Sequence, residues 1–116
     1  MTKRSQRLRL LDMAEQIAAI EAAMIGRSLA DLQANWMLRH AVERGIEIIS
    51  EASRHVDPAL LARHPEVPWR RVADTGNWLR HGYDKVEPTL ILAIVLDHFP
   101  ALRQAVSAML ASTPED

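Results

Sequence analysis

The chain has 116 residues, 48% of them hydrophobic and 25% charged, with a net charge of −1 at neutral pH. That length fits one domain, residues 1–116, and the near-zero charge gives no global field for nucleic acid or membrane, so any RNA contact has to use a local basic patch. The chain has no cysteine, which excludes disulfides and thiolate metal sites.

The longest apolar run, LILAIVL, has seven residues, too few for a membrane span. The N-terminus MTKRSQRLRLL is basic, without an uncharged apolar stretch or a cleavage signal, so a soluble cytoplasmic protein is expected.

In chain order, Leu10, Met13, Ile17, Ile20 and Met24 are spaced by 3, 4, 3 and 4, which predicts one apolar stripe on an amphipathic helix. Gly26 ends it. Ser28, with Asp31 three residues on, reads as a variant capping box that opens a second helix running to about His55. In that helix Leu38, Val42, Ile46 and Ile49 form the stripe, flanked by Ala41, Ile48 and Ala52. Asp57 and Pro58 are an N-cap and a first helical residue, so a short third helix follows. Pro68 starts a fourth through Trp69, Val72, Asn77 and Leu79, and Gly82 ends it. Pro88 starts a fifth, with Leu90, Ile91, Ile94, Val95 and Phe99 turned inward. Pro100 kinks or splits it, and Leu102 to Leu110 continue it. No strand-period pattern appears. The expectation is an all-α, up-and-down bundle of four to five main helices with short connections. So much apolar helix edge on a small chain makes a homodimer the expected state.

Few constellations carry chemistry. His40, Glu43, Glu47 and Glu51 share a face of the second helix. A carboxylate-bridged metal site wants Glu-x-x-His on two helices, and here there is one reversed copy, so a solvated or interface face is expected and no metal. Glutamates at i, i+4 repel, which asks for Arg39, Arg44, Arg54 or a partner chain to neutralise them. His55 and His64 are read as surface residues with no carboxylate near, and His98 as part of the kink. Trp36, Trp69 and Trp78 are read as core or dimer packing, with base stacking as the other option. No phosphate loop or catalytic triad is present, and no cofactor is expected. What remains is NWLRHGY. A histidine is the usual proton carrier near neutral pH, an arginine forks onto phosphate, and both stand at a helix end before a glycine turn. Lys85 adds local positive charge. On spacing alone the segment is also compatible with a surface Arg–His pair.

PWRRVADTGNWLRHGYDKVEP resembles the signature of the HepT-like toxins of the HEPN superfamily of helical ribonucleases. HAVERGIEIISEASR is similar to that family's long-helix segment, with Ser50 where glycine is usual, and DHFPALRQAV to its closing helix with an internal proline. The resemblance covers roughly residues 8–112. It implies a homodimer with the site in a cleft at the interface, partnered by a nucleotidyltransferase-type antitoxin. It also implies metal-independent RNA cleavage, in which the 2′-hydroxyl attacks the adjacent phosphorus, a histidine moves a proton and an arginine holds the phosphorane charge. Carried over by position, His81 is the acid/base and Asn77 the residue after the motif arginine. Tyr83, one residue past the His81–Gly82 pair, is the hydroxyl to which such an antitoxin transfers AMP.

The chain departs from the pattern at the arginine, since Gly76 stands where it is expected. Arg80 is the substitute considered, about 100° from His81 around the helix. Arg70 shares the face of His81 but lies about 16 Å along the axis. With Lys85 it is the remaining candidate for RNA phosphate. Losing the arginine contact removes about 10²-fold in rate, so two further readings stay open. One is a catalytically inactive helical binding module that partners a nucleotidyltransferase-type protein. The other is a nucleotide-binding sensor using the same cleft.

Overall fold

The structure, a computed structural model, describes residues 5–82 and 87–113. Helix α1 (Gln6–Met24) is capped by Ser5, whose Oγ accepts from the Leu8 amide at 3.0 Å. Its predicted stripe, Leu10, Met13, Ile17, Ile20 and Met24, is buried throughout. The chain turns at Gly26, whose φ of +70° is open to glycine at little cost. The capping box is present at α2 (Leu29–Ala34): Ser28 Oγ accepts from the Asp31 amide, and Asp31 Oδ2 accepts from the Ser28 amide at 2.8 Å. That donation from the Ser28 backbone holds the Asp31 carboxyl below its usual range.

The helix expected from Ser28 to about His55 is two helices, α2 and α3 (Trp36–Ser53), and Asn35 divides them. Asn35 is extended, with φ −112° and ψ 95°. Its amide donates to the Asp31 carbonyl and its Oδ1 accepts from the Leu38 amide at 3.0 Å, so it ends one helix and starts the next. A short polar side chain that offers the backbone a local partner competes with helix continuation. Arg39 then donates to the carbonyls of Leu32 and Gln33 at the end of α2. Helix α4 (Pro58–Leu61) is one turn behind its Asp57 cap, and α5 (Trp69–His81) runs from Pro68 to Gly82.

Helix α6 (Pro88–Ala93), a π-helical turn (Ile94–His98) and α7 (Phe99–Ser112) form one continuous run. Pro100 has no N–H for the Leu96 carbonyl, and the Phe99 amide reaches back to Ile94 instead, so the expected kink is a widened turn. By length and composition this run could cross a membrane, yet Phe99, Leu102, Ala105, Val106 and Met109 are buried in the bundle, as the apolar face of a core helix is.

Helix α3 is central, with α1 on one side and α5 on the other, both antiparallel to it. The first is shown by Gln6, whose amide reaches the His55 carbonyl and the Asp57 amide, and the second by Ser50 and Arg54 against Ala73. Helix α7 packs on α1, where Arg7 donates to the Leu110 and Thr113 carbonyls. The described residues are helices and connections only, the expected all-α bundle. Each fully buried Leu, Ile, Met or Phe contributes about 1.5–3 kcal/mol to holding it together. The inward assignment of Leu90 fails, since it is 46% exposed, and Ala41 faces solvent; of the tryptophans expected in core or dimer packing, Trp36 (61% exposed) and Trp78 (41%) lie outside this chain's core. Trp69 is the half-buried member, its Nε1 donating to the His64 carbonyl at 3.0 Å.

Candidate functional site

Helix α5 presents Val72, Gly76 and Leu79 inward and leaves Arg70, Asp74, Asn77 and His81 toward solvent. The crossing with α3 is tight at one place. Ser50 Oγ donates to the Ala73 carbonyl at 2.8 Å and accepts from the Gly76 amide at 3.0 Å. A Cβ at position 76 would stand 2.6 Å from that Oγ and 2.8 Å from Ser50 Cβ. The Ala73 carbonyl also accepts from Arg54 through Nε at 3.1 Å and a terminal nitrogen at 2.7 Å. Arg54 therefore braces α5, while its charge still acts on Glu51 of α3.

Those glutamates are met individually. Arg44 pairs with Glu47 at 3.2 Å, and His55 Nε2 lies 3.1 Å from Glu51 Oε1. The hydrogen bond from His55, then the charges of His55, Arg54 and Arg80, keep the Glu51 carboxyl below its usual range. Burial pushes Glu43 the other way, upward. The expectation that no carboxylate stands near His55 or His64 is corrected: Glu51 faces the first, and Glu66 lies 3.3 Å from Nδ1 of the second. Both contacts come from chain geometry that the sequence shows locally, at i, i+4 and i, i+2. His40 stacks edge-on against Trp36, ring centroids 5.5 Å apart, on the surface. Among the described residues no three His, Asp or Glu side chains gather into a metal-holding group.

At the C-terminal end of α5 the structure brings Asn77 and Arg80 together: the Arg80 guanidinium donates to Asn77 Oδ1 at 3.1 Å. His81 is exposed on the same last turn, and the Arg80 guanidinium there suits the negative end of the helix dipole. Arg80 also lines a polar cavity of about 310 Å³ between three helices, with Arg9 and Asp12 of α1 and Arg44, Glu47, Ile48, Glu51 and Ala52 of α3. Arg70 does not line this cavity, and Tyr83 and Lys85 lie outside the described residues. On the opposite flank of α5 a second, apolar cavity of about 280 Å³ is walled by Ile46, Ile49, Val72, Ile94, Phe99 and Leu102, with Arg71, Thr75, Asp97 and His98 among its polar lining. None of Asn77, Arg80 and His81 lines it. Sequence reasoning missed Arg9. Its signal was present in the Arg9–Asp12 spacing, which sets both on the flank of α1 beside the Leu10–Met13 stripe.

The family model described as "Ribonuclease HepT-like" matches residues 13–109, which include α3, the Ser50–Gly76 crossing and the whole of α5. The chain belongs to the HepT-like ribonuclease family. It is 34% identical over 101 residues to "Probable ribonuclease HepT" of Thermococcus cleftensis, covering 87% of this chain and 92% of that protein. A protein of Methanocaldococcus jannaschii that carries an RNase name is 36% identical over 72 residues, 62% of this chain and 66% of its own length. Another from Caldanaerobacter subterraneus subsp. tengcongensis, also bearing an RNase name, is 31% identical over 85 residues, 73% and 76% of the two chains. No solved structure matches significantly. Within this HepT-like chain the end of α5 is the segment where a proton carrier, a guanidinium and an amide share one turn.

Proposed function

We propose that the chain, acting as a single domain over residues 1–116, is a metal-independent endoribonuclease toxin that works in the cytoplasm as a homodimer. The observation that carries this reading is the Asn77–Arg80 hydrogen bond beside exposed His81 on the last turn of α5, in a chain of the HepT-like ribonuclease family. His81 takes the proton of the 2′-hydroxyl as it attacks the neighbouring phosphorus, or delivers one to the leaving 5′-oxygen. The phosphodiester becomes a 2′,3′-cyclic phosphate and a free 5′-hydroxyl. Arg80, oriented by Asn77, meets the charge that grows on the phosphorane oxygens. Two copies meet near the end of α5, where Trp78 is exposed, and Arg70 and Lys85 extend the contact along the RNA strand.

Regulation falls to Tyr83. A nucleotidyltransferase-type antitoxin transfers AMP from ATP to its hydroxyl: the phenol oxygen bonds to the α-phosphorus, pyrophosphate leaves and the phenol proton goes to solvent. The new phosphate pairs with the cations that RNA needs and fills the cleft.

The test is cleavage of single-stranded RNA and tRNA by purified protein in the presence of a chelator. The expected result is cyclic-phosphate products, with His81→Ala slower by about 10²-fold or more. Intact RNA at several pH values, for wild type and variant alike, removes the reading. Peptide mass spectrometry after co-expression with the cognate partner is expected to find the adenylyl adduct on Tyr83.

One observation favours a second reading, a catalytically inactive module that binds a nucleotidyltransferase-type protein: position 76 has no room for any side chain, a cationic one included. Growth arrest on expression without the partner separates the two, since the inactive module leaves growth unchanged.

A further inference from the structure

We propose that the polar cavity between α1, α3 and α5 is an anion subsite, which takes a backbone phosphate of a single-stranded RNA on Arg9, Arg44 and Arg80. The RNA occupant rests on the ribonuclease reading, whereas the convergence of the three arginines does not.

Arginines from three different helices line one cavity of about 310 Å³. Arg9 comes from the first turn of α1, Arg44 from the middle of α3 and Arg80 from the end of α5. The antiparallel packing of α1 and α5 on α3 is what unites residues so distant in sequence. A guanidinium presents a planar fork of donors that matches phosphate oxygens, and forks from three directions close around a tetrahedral anion. Arg9 Nε is buried and has no hydrogen-bond partner among the described residues. Leaving a buried donor unmade is costly, and an acceptor entering the cavity offers it a way to be satisfied.

The cavity also holds Asp12, Glu47 and Glu51, so its lining is not a bare cationic patch. The carboxylates are exchangeable or engaged. Glu47 pairs with Arg44 at i, i+3 while Arg44 is 71% exposed, a geometry that solvent screens to a weak interaction. A charge-assisted, bidentate phosphate contact is stronger, so phosphate displaces Glu47 from Arg44. Glu51 is held by His55 at 3.1 Å, with the charges of Arg54 and Arg80 also acting on it, so at Arg80 the phosphate has a carboxylate to compete with. On α5 itself the inward position 76 is closed by Ser50, and Arg80, one turn further on, is the cation that reaches the cavity. A phosphate on that fork sits one residue from His81.

The experiment measures anisotropy of a 5′-labelled single-stranded oligoribonucleotide over a potassium chloride series, in a His81→Ala background so that the strand stays intact. Arg9→Gln and Arg44→Gln are each expected to weaken binding about tenfold and to reduce the slope of log K against log salt by about 0.7, the loss of one phosphate contact on a single strand. Glu47→Gln is expected to tighten binding, because it removes the competitor for Arg44. Arg71→Gln, on the apolar flank of α5, is expected to change neither. Arg44 is mostly in solvent and Glu47→Gln acts in the opposite direction, so a folding defect cannot imitate the pattern.

Unchanged affinity and slope for the Arg9 and Arg44 variants, in protein that binds the strand, overturn the subsite and leave the ribonuclease reading standing. The expected pattern in wild-type protein that never cleaves supports the subsite and removes that reading. No binding of the strand at low salt also overturns the subsite.

Discussion

Ser50 and Gly76 are the pair on which the geometry of α5 turns. The serine hydroxyl occupies the space where a side chain at 76 would begin, and it is fixed there by two hydrogen bonds of 2.8 and 3.0 Å to the opposing backbone. Alanine in a helix is favoured over glycine by about 1 kcal/mol. Against that, forcing a methyl into this contact costs about 1–3 kcal/mol, and each disturbed hydrogen bond about 0.5–1.5 kcal/mol. Gly76→Ala is therefore expected to destabilise by about 1–3 kcal/mol, read from urea unfolding. In a Ser50→Gly background the obstruction is gone, so the same substitution is expected to become neutral or stabilising. Equal destabilisation in both backgrounds would show that Ser50 does not restrict position 76. Both residues stand out in the sequence, a serine where the resemblance leads one to expect glycine and a glycine where it leads one to expect arginine. Only the crossing of α3 and α5 reveals that they touch.

Among the elements, the division of α2 from α3 is the feature that periodicity hides. Apolar spacing continues across Asn35, and a helix read from it does not stop. The stop comes from a side chain that serves the backbone: Asn35 Oδ1 takes the Leu38 amide while its own amide serves the Asp31 carbonyl. Asn35→Ala is expected to destabilise by about 1 kcal/mol with an unchanged denaturant slope, because a cap is lost while the surface buried on folding is the same. An unchanged urea midpoint would mean that this cap contributes nothing. The π-helical turn at Ile94–His98 has a similar origin. Pro100 was legible as a disturbance, but whether the run would split, kink or widen depended on keeping Val95, Phe99 and Leu102 together in the core.

For the molecule as a whole, what one chain leaves uncovered decides assembly. Trp78 is 41% exposed on the same turn as His81, and Leu8 and Leu11 are exposed on α1. A ring of that size left in water is a strong contributor once a partner covers it. Sedimentation at tens of micromolar is expected to give twice the 13.1 kDa chain mass, and Trp78→Glu is expected to shift it toward the monomer and to reduce RNA cleavage with it. A wild-type monomer at that concentration would remove the dimer cleft from the mechanism.

The sequence by itself determined most of the residues that enter the core and where most helices begin and end. These depend on short-range regularities: the 3–4 spacing of Leu10 to Met24, the Ser28–Asp31 box, Asp57 before Pro58, and Gly82 at the end of α5. It also determined the membership in a ribonuclease family, because NWLRHGY and its neighbours are contiguous. The tertiary structure alone decided which charges meet across helices. Arg9, Arg44 and Arg80 are 35 and 36 residues apart and share a cavity only because α1 and α5 both pack antiparallel on α3. Arg54 acts on Glu51 as expected, and the helix crossing adds a second role, since its guanidinium also donates to the Ala73 carbonyl. Helical periodicity is a property of neighbours along the chain, whereas a convergence of side chains depends on how helices cross, which is set by the fit of residues as small as Ser50 and Gly76.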